Sequence, residues 1–317
     1  MINLYINNNL NLADITDKVT LTSSFNNGAS TLKFEFAFEP ININMGDTVR
    51  FVVDGTTMFF GYIFDISTNG KTIKITAYDQ LVYLANKNSY ILKSQPLTQS
   101  INDISYLYSD GVRVRLGSID NTEVNLKAKN VDDKTGLDII NELIDENRIL
   151  NGYWYALYDE NGALNLTDVV NMRLPLVIGD DSLCTSYDFN ASIKKDTYNY
   201  VKSAKDDKTT GTRNIYVVED SDSIKKWGKL VFYNKINSDL NEQQIKQQSK
   251  MILELKNRVT KELTVEALGD VRVRGGSGLK IEIASIGVNF WAIVKRVQHN
   301  FNGNQHTMIL TLDWGGA

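Results

Sequence analysis

The chain is poor in residues that cross-link, ligate metals or interrupt strands: one cysteine, two histidines and three prolines in 317 residues. The lone Cys184 excludes an internal disulfide framework and supplies no cysteine-based metal or redox motif, which fits synthesis in a reducing cytoplasm. His299 and His306 are too few to close a structural zinc site, so no metal and no cofactor are expected. No run of about 18 apolar residues occurs, which argues against a membrane-spanning helix. Met1-Ile2-Asn3-Leu4-Tyr5 has no basic start ahead of an apolar stretch, so no secretory leader is expected. Strong charge of one sign is also missing. Lys and Arg number 34 against 38 Asp and Glu, and the net charge of −4 gives no general attraction to nucleic-acid phosphates. Nucleophile elbows, Walker-type loops, zincin helices and dinucleotide fingerprints are absent.

What is present is a strand pattern used twice. Near the N-terminus, Gly46-Asp47 leads the strand Thr48–Val53. Phe59-Phe60-Gly61 opens a second strand, Asn69-Gly70 turns, and Thr72–Tyr78 alternates up to Asp79. Near the C-terminus, Gly276-Ser277-Gly278 leads Leu279–Ile283, Phe290-Trp291-Ala292 opens the next strand, Asn302-Gly303 turns, and His306–Leu312 alternates up to Asp313. The repeat positions are therefore Gly46, Asp47, Phe60, Gly61 and Asp79 in one copy and Gly276, Gly278, Trp291, Ala292 and Asp313 in the other. Phe60 is expected to align with Trp291 and Asp79 with Asp313. Short strands without a covering helix close most simply into a small barrel, which removes exposed edges.

The length suits two or three domains at about 100–200 residues each, and 42% hydrophobic with 23% charged residues is ordinary for a globular chain. Residues 1–95 read as a first β-barrel, with Leu32, Phe34, Phe36 and Phe38 on one face of a strand that Pro40 ends. Residues 96–178 read as a middle α/β module. One helix carries Ile101, Ile104, Leu107 and Tyr108 and stops at Gly111; a second runs from about Lys134 to Asn147 with Leu137, Ile140, Leu143 and Ile144 on one stripe. Tyr153–Tyr158 and Ala163–Leu166 flank Asp159-Glu160-Asn161-Gly162, a hairpin turn. Residues 179–317 read as a second barrel with a helix, 239–258, inserted. Asp239 and Glu242 have the form of a capping box, and Ile245, Ile252, Leu255 and Val259 mark the buried face. The fold class is thus mainly β with α+β insertions: two similar small barrels, a middle module and one long inserted helix.

The chemistry-bearing residues have simpler structural readings. His299 and His306 bracket a hairpin turn and could face each other, but a third ligand is not evident. Gly275-Gly276-Ser277-Gly278 would cradle phosphate only ahead of a helix, and a strand follows. The pairs Asp132-Asp133, Asp180-Asp181 and Asp206-Asp207 sit at element boundaries, where Asp caps or turns the chain. The aromatics Phe59, Phe60, Phe290, Trp291, Tyr153, Trp154 and Tyr155 could stack on sugars or bases, though core and subunit contacts account for them as well.

Asp222-Ser223-Ile224-Lys225-Lys226-Trp227-Gly228-Lys229-Leu230, the helix after it, Thr264-Val265-Glu266-Ala267-Leu268-Gly269-Asp270, Gly276-Ser277-Gly278-Leu279 and Phe290–His299 follow one another in an order that resembles the baseplate hub proteins of contractile phage tails. This is the late-control-gene-D superfamily, in its PBSX-type prophage and phage-tail-like bacteriocin form. Gly-Ser-Gly stands where many hubs have Gly-Asp, although Gly46-Asp47 keeps that form. The resemblance implies a non-enzymatic structural protein, a homotrimer in which two barrels per chain adapt a sixfold tail tube to a threefold central spike. Its implied partners are itself, the tube protein, the spike protein and other baseplate subunits, with no specific nucleic acid binding. Made in the bacterial cytoplasm, it would be assembled into the tail of a virion or bacteriocin. Alternatives are a peptidoglycan-binding or peptidoglycan-degrading tail protein, or another tube or wedge subunit.

Overall fold

A computed structural model describes residues 1–108, 113–207, 211–236 and 240–313. Strands take 51% of the described residues, so the fold is mainly β. In chain order, the first strands are β1 (Ile2–Ile6), β2 (Leu10–Asn11), β3 (Thr16–Ser24), β4 (Thr31–Ala37), β5 (Thr48–Val53), β6 (Thr56–Thr68) and β7 (Thr72–Tyr78). A 3₁₀ turn, Gln80–Ala85, leads to β8 (Lys87–Leu92), α1 (Leu97–Tyr108), β9 (Leu116–Ile119), β10 (Lys129–Thr135), α2 (Gly136–Asn151), β11 (Tyr155–Glu160) and β12 (Ala163–Asp168). Next come β13 (Arg173–Gly179), β14 (Cys184–Ser192), β15 (Tyr200–Asp206), β16 (Arg213–Glu219), α3 (Ser221–Trp227), β17 (Val231–Ile236) and α4 (Glu242–Lys256). The chain closes with β18 (Thr260–Leu268), β19 (Gly278–Ile283), β20 (Val288–Asn302) and β21 (Gln305–Asp313).

Two compact units result, one of residues 1–188 with 263–317 and one of residues 189–262. The larger holds a 13-stranded sheet whose order contains one pattern twice. β3-β4-β7-β6-β5-β1 recurs as β14-β18-β21-β20-β19-β13, and the two runs join where β3 pairs with β20. The hydrogen-bonded order runs from β14 to β2, and β19 with β13 branches from it at β20. Each run covers its own apolar core. Leu4, Val19, Leu32, Phe34, Phe36, Val49, Phe51 and Ile75 fill the first, and Leu263, Val265, Leu279, Ile281, Val294, Met308 and Leu310 the second. Phe301, on the far half of β20, belongs to the first core and meets Phe51 edge to face at 5.0 Å. Phe38, expected on the buried face of its strand, is 53% exposed. The chain leaves the sheet at Ala37, ahead of Pro40.

The middle layer packs α1 and α2 against β8, β10 and the β11–β12 hairpin through Leu92, Leu97, Ile101, Ile104, Ile140, Leu143, Ile144, Leu157 and Leu164. Leu107, expected on that stripe, is 41% exposed. Gly111, read as the helix stop, lies outside the described residues. Thr135 caps α2 by accepting the Asp138 amide at 3.0 Å, and Gly152 ends it at φ 84°. That helix runs four residues past the expected Asn147 because no breaker precedes Gly152.

In the smaller unit β15 lies between β16, antiparallel, and β17, parallel. Asn241, rather than Asp239, caps α4. Its side chain accepts the Gln244 amide and Gln244 reaches back to the Asn241 amide, both at 2.9 Å. Asp239 lies outside the described residues. The buried stripe of α4 is Ile245, Ser249 and Leu253, not the expected Ile252 and Leu255. Ser249 is small enough for close approach to β15, where its hydroxyl meets that of Ser203 at 2.7 Å.

Candidate functional site

The repeat positions come together as two copies of one backbone device. In the first, Arg50 faces Phe60 and Val49 faces Gly61; in the second, Lys280 faces Trp291 and Leu279 faces Ala292. Both middle strands carry a bulge at the same place. The register against the third strand shifts between Ile63 and Asp65 in β6 and between Val294 and Arg296 in β20. Phe60 and Trp291 therefore hold equivalent positions, as do Gly61 and Ala292. The two aspartates do not. Tyr62 pairs with Tyr78 and Ile293 with Asp313, so Asp313 is level with Tyr78 and Asp79 lies one residue beyond. The hairpin of β20 and β21 is longer, and matching the copies by their final Asp hides that slip.

The turns that open the copies share their hydrogen bonds. The Gly46 amide donates to the Ile63 carbonyl at 2.8 Å, and the Gly276 amide to that of Val294 at 2.8 Å. Returning bonds run from Ile63 N–H to Asp47 O and from Val294 N–H to Ser277 O, at 3.0 and 2.9 Å. Three residues earlier, Asn44 N–H donates to the Asp47 carboxylate at 2.8 Å and Arg274 N–H to the Ser277 hydroxyl at 3.0 Å. Gly46 and Gly276 both have positive φ, +82° and +91°, which glycine adopts without strain. Asp and Ser thus do the same work here: one side-chain oxygen accepts one backbone N–H.

The surroundings of the copies differ. A Cβ on Gly61 would collide with the Tyr78 carbonyl and the Phe59 ring, whereas Ala292 carries one in a buried site. Phe60 packs over Gly162 at the tip of the β11–β12 hairpin and meets Tyr62 edge to face at 5.9 Å. Trp291 lies beside the Arg173 guanidinium at 5.3 Å. It lines, with Arg148, Trp154 and Arg173, a cleft of about 130 Å³, well under the roughly 300–1,000 Å³ of small-molecule sites. Gly278 is buried against Arg173, and Asp313 pairs with Lys295 at 3.5 Å.

Asp79 caps the 3₁₀ turn instead of ending a strand. Its carboxylate accepts from Leu81 N–H at 3.0 Å and Ser30 N–H at 2.8 Å, and the residue is 1% exposed. Burial, then the nearby Asp159 charge, pushes its pKa up to about 7. Burial likewise raises Asp159 to about 6, although it accepts from Gln80 Nε2 at 2.6 Å and Gly162 N–H at 3.0 Å. In the sequence Asp159 reads only as a turn residue. Asn161 and Gly162, both at positive φ, do form that turn. The signal that Asp159 also meets Asp79 lies in tertiary structure alone.

His299 and His306 meet diagonally across the β20–β21 ladder, Nδ1 to Nε2 at 3.0 Å, and His299 Nε2 lies 2.9 Å from the Val273 carbonyl. Burial pushes His299 down to about 4 and lowers His306 as well. Among the described residues, no third His, Cys, Asp or Glu joins them as a metal-binding group. The Gly275–Gly278 run leads into β19, a strand. Asp133 pairs with Lys87 at 3.0 Å, Asp206 with Arg213 at 2.6 Å, and Asp180 accepts the Ala284 amide at 2.9 Å. Trp154 is stacked under Arg148 at 3.7 Å, Tyr155 is buried and Tyr153 is 56% exposed. No described helix is long and apolar enough to cross a membrane.

This architecture is that of phage tail proteins. It matches the prophage MuSo2 43 kDa tail protein of Shewanella oneidensis with a TM-score of 0.73 over 98% of this chain and 97% of that one, at 11% identity. A type VI secretion system component of E. coli, c3393, described as structurally similar to the T4 tail proteins gp27 and gp5, matches at 0.57 over 98% of this chain and 77% of that one, at 9% identity. In sequence, the chain is 30% identical over 273 residues to the phage-like element PBSX protein XkdQ of Bacillus subtilis, covering 85% of this chain and 82% of the relative. Residues 19–313 match the YQBQ-like family model, and the chain belongs to the YQBQ-like family.

Proposed function

We propose that the chain is the structural baseplate hub of a contractile tail, a non-enzymatic ring of three copies that adapts a sixfold tube to a threefold spike. The observation that carries this reading is the strand order written twice, β3-β4-β7-β6-β5-β1 and β14-β18-β21-β20-β19-β13. Three chains with two equivalent β units each offer six similar surfaces on one face while keeping threefold symmetry. On this reading residues 1–95 and 179–317 are two barrel-like tube domains and residues 96–178 a middle module toward the surrounding baseplate. The repeat positions Gly46, Asp47, Phe60, Gly61, Gly276, Gly278, Trp291 and Ala292 hold the two units in the same shape. The PBSX relative and the type VI component described as similar to gp27 and gp5 support the same reading.

Imaging of tail particles with the chain labelled tests it. Label on the tail axis between tube and spike is the expected result. Label on the periphery would favour a wedge role, and cell-wall turnover by the purified chain, lost on replacing Asp159, would favour a degrading enzyme.

A further inference from the structure

The two equivalent aromatics keep unequal company. Phe60 is covered from within the chain. The tip of the β11–β12 hairpin packs on it, a Cβ on Gly162 would lie 2.6 Å from its ring, and Glu160 of the same tip pairs with Arg274 at 3.7 Å. Trp291 instead borders the cleft of about 130 Å³, together with Arg148, Tyr153, Trp154, Val170 and Arg173. Arg148 is stacked on Trp154 at 3.7 Å and Arg173 lies by Trp291 at 5.3 Å, so two guanidinium forks stand on two indole rings around one gap. The stem of Arg173 runs past Gly278, where a Cβ would come within 2.8 Å of its Cγ. Among the described residues no carboxylate pairs with Arg173. Asp168, which also lines the cleft, turns its carboxylate to the Val170 amide at 3.1 Å. Tyr153 and Val170 are each 56% exposed.

Tryptophan, tyrosine and arginine around one small cavity is the composition of a protein-binding hot spot, and the volume suits a side chain or the tip of a turn rather than a free ligand. We infer that this cleft receives an acidic turn of another protein. A carboxylate of that turn meets the Arg173 guanidinium, and its backbone and apolar atoms lie on Trp291 and Tyr153, as the chain's own hairpin tip meets Arg274 and Phe60. The inference rests on the reading above that the chain works among other proteins of a tail particle. The chain's own acidic turns are engaged elsewhere: Asp133 holds Lys87, Asp180 the Ala284 amide and Asp206 Arg213. The occupant therefore belongs to a different protein. A guanidinium braced on an indole is pre-formed to meet a carboxylate through two parallel hydrogen bonds, which gives the contact direction as well as charge.

Photo-cross-linking in assembled particles tests this. The full chain carries p-benzoylphenylalanine in place of Tyr153 or, in a second variant, of Val170, and the cross-linked peptides are sequenced by mass spectrometry. The expected product joins the chain to a different particle protein within a few residues of an Asp or Glu. Arg173→Glu should lower its yield by about tenfold or more, and replacing the partner's acidic residue with Arg should restore it. Arg173→Gln, which removes the charge without reversing it, gives the same readout should Arg173→Glu fail to assemble. Cross-links to a second copy of this chain, cross-links to peptides without an acidic residue, or a yield that neither Arg173 variant changes would overturn the inference. Particles that hold the chain on the tail axis but give no cross-link at either position would also overturn it and leave the hub reading standing. The expected cross-link from a chain on the tail periphery would support the cleft and contradict the hub. A chain absent from tail particles would overturn both.

Discussion

The two copies of the three-stranded repeat share their register and their bulge but almost none of their packing. Val49–Gly61 and Leu279–Ala292 are equivalent pairs, yet the first middle strand approaches its neighbour so closely that only glycine fits, while the second admits an alanine methyl. The outermost strands differ even in direction, with β1 antiparallel to β5 and β13 parallel to β19. What survives is the backbone device: a positive-φ glycine, a side-chain oxygen that accepts the amide three residues back, and a bulge four residues past the aromatic. Conformation is held in common, and side chains fill each core as its surroundings require.

The largest expected effect separates the copies at their equivalent small residues. Gly61→Ala forces a methyl against a backbone carbonyl that cannot give way, and should destabilise by about 3 kcal/mol. Ala292→Gly loses one buried methyl and gains chain entropy in the unfolded state, for about 1 kcal/mol. Urea titration of both variants measures the pair, and equal costs would mean that the two strands are not differently crowded.

A second expectation concerns two buried titrating pairs of opposite sign. Asp79 and Asp159 have folded pKa values near 7 and 6 against an ordinary 3.8, so the fold holds protons that the unfolded chain releases. Their contribution is full below pH 3.8 and is lost as pH rises toward 6–7. His299, near 4 against 6.5, does the reverse: its contribution is full above pH 6.5 and is lost as pH falls toward 4. Asp79→Asn removes one arm of that balance. Relative to the parent chain, its stability should fall more steeply between pH 6.5 and 4.5, by on the order of 2 kcal/mol across that range. Parallel stability–pH curves for the two proteins would contradict the assignment.

The smallest effect tests the shared turn. Asp47→Ala and Ser277→Ala each remove one acceptor for a backbone amide and should cost about 1 kcal/mol apiece. Asp47→Ser should be close to neutral, since serine offers the same accepting oxygen at a part-exposed turn. Chemical denaturation of the three variants checks this, and a large cost for Asp47→Ser would show that the two turns do not work alike.

Much of this was written locally in the chain. Alternation at Leu32, Phe34 and Phe36 marks a half-buried strand, the Ile140-Leu143-Ile144 stripe marks a helix, and Gly46 and Gly276 mark the turns. The misses have non-local causes. Phe38 continues the alternation in sequence but lies past the end of its strand. Ser249 interrupts an apolar pattern yet is fully buried against β15, and the sequence pattern alone points to Ile252 and Leu255 instead. Asp79 and Asp159 lie far apart in sequence, so nothing near either one signals that they share a buried corner. Joining the two runs through β3 and β20 likewise depends on a pairing between the chain's opposite ends.

The central claim is that one chain supplies two of six equivalent positions around the tail axis. Copy number and local symmetry of the chain in intact particles, read together from quantitative mass spectrometry and averaged images, test it most directly. Three copies on the axis, each presenting its 46–79 and 276–313 segments in alternation around a pseudo-sixfold ring, is the expected result. Six copies per particle, or three copies in which only one of the two segments faces the tube, would contradict it.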